Sequence, residues 1–370
     1  MKVSVVLPCL NEEATVGVCV RKAGEVFERL GIEGETIVVD NGSIDNSAEV
    51  AKKFGAKVVF EERRGYGNAY LRGFREASGD VVVMADSDGT YDLYEMPRFL
   101  EALNGADLVI GSRFKGEIKD GAMSWLHRYL GNPLLTKVLN VLFRTSISDA
   151  HCGMRAFRRE ALEDIMPKTT GMEYASEMVI KAAKSGLTIK EVPITYYPRE
   201  VGPANLHSFQ DGWRHLRFMF IYKHAMLFLT PGSVLFVSGL FLILFPSPMR
   251  YHTMILGGLF TILGFQTITL GLYSNVYAAI HGNDQPNRIT RFLMHYNSLE
   301  YGLMLGFIVT LLGGGIGLGI LLAWIKSGFA ALSEIRNAIL SSTLAIIGIQ
   351  MIFASVFISV LLLERREEDR

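Results

Sequence analysis

Asp86 and Asp88 stand one residue apart, directly after the apolar run Val81-Val82-Val83-Met84-Ala85. In a loop, where strand alternation no longer sends neighbours to opposite faces, both carboxylates can reach one hard cation. Magnesium and manganese favour oxygen ligands and usually bridge to phosphates, so the pair is a candidate for holding Mg2+ or Mn2+ on a diphosphate. Asp-x-Asp also marks ordinary turns; its place after a strand-like run makes it a candidate site. Two more polar clusters follow apolar runs in the same way, Pro8-Cys9-Leu10-Asn11-Glu12-Glu13 and Asp40-Asn41-Gly42-Ser43. No Gly-x-Gly-x-x-Gly opens the first helix and no P-loop is present, which argues against a dinucleotide fold or a P-loop nucleotidase.

These clusters need a scaffold, and the first 223 residues read as strands alternating with helices. Residues 3–7 form a short β-branched run, after which Val16, Cys19, Val20, Ala23, Val26, Phe27 and Leu30 fall at helical spacing. Asn11 is expected to cap that helix, with Glu12 and Glu13 in its first turn and Gly31 at its end. Further strands are expected at 36–39, 57–60, 81–84 and 108–110, with helices near 47–54 and 66–77. This alternation predicts an α/β fold, a doubly wound, mostly parallel sheet with helices on both faces. Ligands of such sheets lie beyond the carboxyl ends of the strands, so the three clusters converge on one edge.

The chain has 370 residues, 49% hydrophobic and 20% charged, and its 37 Lys+Arg cancel its 37 Asp+Glu. That balance lacks the basic excess of a general nucleic-acid binder. Cys9, Cys19 and Cys152 contain no close pair, so neither a disulfide framework nor a zinc site is written here. Four stretches, 225–245, 254–280, 302–325 and 338–363, contain no Asp, Glu, Lys or Arg, and each is long enough to cross a bilayer as a helix. The expected organisation is an α/β domain over 1–208, a juxtamembrane interface helix over 209–223 and an all-α four-helix transmembrane domain over 224–370. Arg214, Arg217, Lys223, Arg288, Arg291, Arg365, Arg366 and Arg370 flank one side of the spans, against Arg250, Lys326 and Arg336 on the other. The basic side stays cytoplasmic, which places the N-terminal domain and both termini there. Residues 128–144 are amphipathic, suited either to the membrane interface or to packing on the sheet. Gly313, Gly314, Gly315, Gly317 and Gly319 suit close helix packing, within the chain in preference to a homo-oligomer seam.

At this point the chain resembles the family 2 glycosyltransferases of GT-A fold, in particular the polyprenyl-phosphate hexosyltransferases such as dolichyl-phosphate mannose or glucose synthases. The resemblance rests on residues 5–12, 38–45, Arg64-Gly65-Tyr66-Gly67-Asn68-Ala69, Gly79-Asp80, Asp86-Ser87-Asp88 and Gly111-Ser112-Arg113-Phe114, and covers about the first 210 residues. It implies inverting transfer of a hexose from a nucleotide sugar, of the GDP-mannose or UDP-glucose class, to a polyprenyl or dolichyl phosphate drawn from the membrane lipid. Pro8, Leu10 and Glu12 would line the base and ribose, with Asp40 or Asn41 taking their polar groups. Asp86, Ser87 and Asp88 would form the metal and sugar-nucleotide motif. Thr90 stands where the family often has Gln. Arg113 would meet phosphate, and Arg199 matches the Arg of an Arg-x-x-Gly-x-Ser-Lys-Leu pattern in which Ala204 and Asn205 replace Ser and Lys. Asp88, Arg113 and Arg199 would carry the catalysis; Arg113, Arg199, Asn205 and Arg155 would meet the lipid phosphate, with His207 or Arg155 compensating for the absent Lys.

Residues 148–155, dense in small and polar side chains, are expected to form a substrate-enclosing loop; a Cys152–His151 nucleophile is disfavoured because adjacent residues rarely face each other productively. Glu177 either reaches the donor sugar or stabilises its own helix from the first turn. Two rival functions are a processive polysaccharide synthase, disfavoured by the absence of Gln-x-x-Arg-Trp, and a non-catalytic membrane scaffold.

Overall fold

The computed structural model describes residues 1–165, 167–199, 208–245, 251–280, 286–295, 297–330 and 334–368. It forms two compact units, Met1–Met219 and Phe220–Arg370. In the first, β1 (Lys2–Cys9), β2 (Glu33–Asp40), β3 (Lys57–Phe60), β4 (Val81–Met84), β5 (Leu108–Ile118), β6 (Arg155–Arg158) and β7 (Ile189–Tyr196) make one sheet in the order β3-β2-β1-β4-β6-β5-β7. Only β6 runs against its neighbours; every other pairing is parallel. Val3, Val5, Val6 and Leu7 of β1 are fully buried, as a central parallel strand covered on both faces requires. The fold is the expected α/β sheet, extended by β6 and β7.

The helices of this unit are α1 (Val16–Leu30), α2 (Ser47–Lys53), α3 (Tyr66–Glu76), α4 (Met96–Ala102), α5 (Asn132–Phe143), α6 (Arg159–Ile165) and α7 (Tyr174–Lys184), and α8 (Ser208–Tyr222) runs across its end at Met219. Gly31 ends α1 at φ 62°, as expected, but Asn11 does not cap it. Asn11 adopts φ 59°, its Oδ1 accepts from Ile44 N (2.9 Å), and its own N–H donates to Ser43 Oγ (3.0 Å). Its side chain ties the end of β1 to the loop after β2, and the helix begins only at Val16. Gly73 lets α3 lie against β1, since a Cβ there would collide with Val6 Cγ1. That close approach carries Tyr66 and Tyr70 of α3 over the end of β4.

The stretch around α5 has two apolar faces. Leu135, Leu139 and Phe143 are buried, while Trp125, Tyr129, Leu130, Leu134 and Val141 are exposed, Trp125 by 71%. On α8, Met219 and His215 are buried and Trp213 and Ile221 exposed.

The second unit contains α9 (His224–Leu244), α10 (Tyr251–Ile280), α11 (Arg288–Leu293), α12 (Ser298–Lys326) and α13 (Ile335–Glu368). Among the described residues, four segments are long and apolar enough to cross a membrane: Met226–Leu244, Tyr251–Ile280, Ser298–Lys326 and Ile335–Leu363. Glycines set the helix contacts, because small residues let backbones approach. A Cβ at Gly264 of α10 would collide with Phe236 of α9, and one at Gly313 of α12 would press on the backbone of Ala345 in α13. Gly317 also faces α13, at Ser341, whereas Gly314, Gly315 and Gly319 meet no neighbour among the described residues.

Candidate active site

The loop after β4 is fastened from below. Ser87 Oγ donates to Pro8 O (2.6 Å) and Thr15 Oγ1 donates to Ser87 O (2.8 Å), which leaves Ser87 buried as a tie between strand ends. Asp86 Oδ1 accepts from Tyr66 (2.9 Å) and Tyr70 (3.3 Å). Burial, then the charge of Asp88, pushes the Asp86 carboxyl up to about 7 against the opposing pull of the two phenols and Arg113. Asp88 Oδ1 accepts from Thr90 N (3.0 Å) and Thr90 Oγ1 (2.6 Å), and Thr90 is itself buried. Thr90 thus orients Asp88 and does not present its own oxygen to the cleft.

The other Asp88 oxygen, Oδ2, pairs with Arg199 Nη1 at 3.3 Å, and Arg199 Nη2 pairs with Glu12 Oε1. One guanidinium therefore bridges the β1 loop and the β4 loop. Glu12 is anchored by its N–H to Ser47 Oγ (2.8 Å). Its carboxyl is raised by burial; Arg199 lowers it and Asp88 raises it, with burial the larger influence. Pro8 and Leu10 stay partly exposed beside it, and Asp40 Oδ1 accepts from Ser43 N at 2.8 Å.

Asn41 has a different place from the one expected. Its Nδ2 donates to Glu61 O (2.8 Å) and Arg63 O (2.9 Å), and its Oδ1 accepts from Gly65 N (2.8 Å). The side chain is committed to holding the 61–65 loop that leads into Tyr66, so of the pair Asp40 is the one left to meet a ligand. Asn41→Asp is expected to cost about 2–3 kcal/mol, because two carbonyls would then face a carboxylate that cannot donate. In a thermal melt of the detergent-solubilised chain this is a drop of roughly 5–10 °C, and an unchanged melt would refute the arrangement.

On β5, Arg113 forms a fork with Asp149, Nε to Oδ2 at 2.7 Å and Nη2 to Oδ1 at 2.8 Å, with its Cζ 5.1 Å from the centre of the Tyr196 ring. Burial is the largest single influence and works against its charge, but Asp149, by charge and hydrogen bond, Tyr91 and Cys152 together raise Arg113 above its ordinary value. Nη1 makes no hydrogen bond among the described residues and is the corner open to an anion.

Arg155 does not join this group. It is fully buried at the start of β6, with Nε on Cys152 O, Nη1 on Ala175 O and Nη2 on Ala150 O, each at 2.9 Å. Three backbone carbonyls hold it inside the domain. Glu177 is likewise turned inward: Oε2 accepts from Lys168 N, Thr169 N and Thr169 Oγ1, and Oε1 pairs with Lys181 at 2.9 Å. It fixes the 168–170 loop, whose Thr170 O receives Gly67 N at 3.0 Å. Cys152 is buried with its thiol pushed up to about 12 by burial and then by Asp149, and His151 Nε2 lies 3.2 Å from Ser176 Oγ, so the two do not form a nucleophile pair. Asn205 and His207 lie outside the described residues. Tyr70 and Tyr196 complete the site without having been marked by type or spacing, while Tyr66 stands in a matched motif and Asp149 in the expected 148–155 loop, neither with an assigned role.

Two carboxylates presenting only oxygen donors fit Mg2+ or Mn2+, and a raised Asp86 beside Asp88 is the electrostatic condition a cation relieves. Among the described residues no cluster of three or more His, Cys, Asp or Glu forms a complete site.

Residues 4–166 match the model of the family described as glycosyl transferase family 2, and residues 272–362 match its C-terminal transmembrane region. The chain is 41% identical to the low-salt glycan biosynthesis hexosyltransferase Agl6 of Haloferax volcanii, over 97% of this chain and 88% of that one. It is 36% identical to a dolichyl-phosphate hexose transferase of the same organism, over 56% of this chain and 88% of that one. Among solved structures it is similar to glucosyl-3-phosphoglycerate synthase from Mycobacterium tuberculosis in complex with Mn2+, UDP-glucose and phosphoglyceric acid, at 25% identity and a TM-score of 0.49, covering 60% of this chain and 79% of that one.

Proposed function

The chain belongs to glycosyltransferase family 2 and is an integral membrane hexosyltransferase, and we propose that it transfers a hexose from a nucleotide sugar to the phosphate of a polyprenyl, dolichyl-type lipid. The observation that carries this reading is the meeting of Asp86 and Asp88 with Arg113 and Arg199 at the sheet edge of a chain whose described residues also include four helices long and apolar enough to cross a membrane. A relative of this chain is a dolichyl-phosphate hexose transferase, which supports the same acceptor class.

A lipid phosphate is already anionic near neutral pH and attacks the anomeric carbon without a base to deprotonate it, so a site free of a catalytic His or Cys is chemically sufficient. Direct displacement inverts the anomeric centre and gives a β-linked lipid-phospho-sugar from an α-linked donor. A divalent cation bound at Asp86 and Asp88 would neutralise charge developing on the departing nucleoside diphosphate. Arg199 and the open Nη1 of Arg113 orient two mutually repelling anions, for which the planar guanidinium is suited. Pro8, Leu10, Glu12 and Asp40 line the nucleotide, while Asn41, Ser87 and Thr90 keep the lining in place.

The exposed face of Trp125, Tyr129, Leu130, Leu134 and Val141, with Arg128 and Lys137 beside it, is suited to the lipid interface from which the acceptor comes. Arg214, Arg217, Lys223, Arg288 and Arg291 support a cytoplasmic N-terminal domain. Protease added to sealed inside-out vesicles is then expected to digest that domain; its survival there, with digestion in right-side-out vesicles, reverses the orientation. The test of the whole reading is to incubate the purified chain and dolichyl phosphate with Mg2+ or Mn2+ and a panel including UDP-glucose, GDP-mannose and UDP-N-acetylglucosamine. A lipid-linked product from one donor is expected, and none from any donor would overturn it.

A further inference from the structure

β7 lies parallel to β5, with Glu191 in register with Ile110 and Val192 with Gly111. The Glu191 side chain is only 6% exposed, and both of its oxygens are engaged. Oε1 accepts from Ser148 N (2.7 Å), Ser148 Oγ (2.8 Å) and Asp149 N (3.1 Å); Oε2 accepts from Lys115 Nζ (2.7 Å). The hydroxyls have a direction. Since the single hydrogen of Ser148 goes to Glu191, Ser112 must donate across the 2.6 Å contact to Ser148 Oγ, and Ser112 Oγ in turn accepts from Lys115 N at 3.1 Å. A one-way chain of donors thus ends on a buried carboxylate.

What this chain holds is the backbone of Asp149. Asp149 is fully buried and has both carboxylate oxygens on Arg113, one of them also accepting from the Arg113 N–H at 3.1 Å. The same strand supplies Tyr196 under the Arg113 guanidinium. Arg113 is therefore aimed by two groups from β7, Tyr196 directly and Glu191 through Asp149. We propose that Glu191 is a positioning residue for Arg113, setting the direction of the open guanidinium corner without touching substrate.

This inference rests on the reading that Arg113 meets an anionic substrate. It is tested on the full-length chain in lipid–detergent micelles, with dolichyl phosphate and whichever of UDP-glucose and GDP-mannose supports transfer. Glu191→Ala is expected to lower kcat by about tenfold or more while the KM for the sugar nucleotide stays within about twofold, the split that follows when Arg113 loses an alignment needed only in the transition state. Glu191→Gln, whose amide oxygen still accepts from Ser148 and Asp149, is expected to recover most of the loss. If Glu191 acts through Arg113, adding Glu191→Ala to Arg113→Lys costs little beyond Arg113→Lys alone. Wild-type kcat in Glu191→Ala, or fully additive losses in the double variant, overturns the proposal while leaving Arg113's role intact. Wild-type kinetics in Arg113→Lys and Arg113→Ala would instead remove the anion-binding reading, and this inference with it. Where Glu191→Ala fails to fold, Glu191→Asp, one methylene short of Ser148 and Asp149, provides the same cycle.

Discussion

Asp88→Ala is expected to reduce sugar transfer to lipid phosphate by about a hundredfold to a thousandfold, the usual effect of deleting a charge-stabilising group from a transfer site. The substitution deletes one of two adjacent carboxylates and leaves the Thr90 N–H and hydroxyl without their acceptor. Asp88→Asn separates these effects. Its amide oxygen can still receive Thr90, so if loop order alone mattered, activity would return; with charge as the requirement, the variant stays as inactive as Asp88→Ala. Chelation by EDTA is expected to silence the wild-type chain and added Mg2+ or Mn2+ to restore it. Full transfer by Asp88→Ala in washed membranes would remove Asp88 from the mechanism.

Arg199→Ala is expected to lower kcat/KM for the nucleotide sugar by roughly a hundredfold, because a single guanidinium compensates two carboxylates that face an incoming diphosphate. Arg199→Lys should recover little of this, since a point charge on a flexible stem does not reproduce a fork that spans Glu12 and Asp88. The substitution also has a pH signature. Burial already raises the Glu12 carboxyl and Arg199 opposes that, so removing Arg199 moves Glu12 still higher. Activity that needs Glu12 ionised then falls away at a higher pH on the acid side of the profile than in wild type. An acid limb that stays in place would mean Glu12 does not govern it.

The sequence marks residue type but not side-chain direction. Asp86 and Asp88 were legible, being two carboxylates placed where a strand-like run ends. Asn41, Ser87 and Thr90 belong to the same motifs, yet Asn41 and Ser87 are committed to backbone carbonyls of other segments and Thr90 to the Asp88 carboxylate in its own loop. Arg155, read as a cation near phosphate, closes over three carbonyls in the interior. Glu177 was readable either way and turns to the 168–169 loop. Each outcome depends on which unpaired backbone donors or acceptors a distant loop brings alongside, and a buried polar group must be satisfied wherever the chain leaves it.

By itself the sequence determined what rests on local periodicity and composition: the strand–helix alternation, the edge on which the polar clusters gather, and four uncharged stretches of spanning length. Those signals survive because a hydrophobic face must be buried whatever its neighbour is. The tertiary structure alone decided that β6 enters the sheet reversed between β4 and β5, that Arg199 bridges Glu12 and Asp88, and that Asp149, Tyr196 and Glu191 aim Arg113. The partners in those contacts stand between 36 and 187 residues apart in the chain. Their geometry is set by sheet register and loop packing, which no spacing in the sequence encodes.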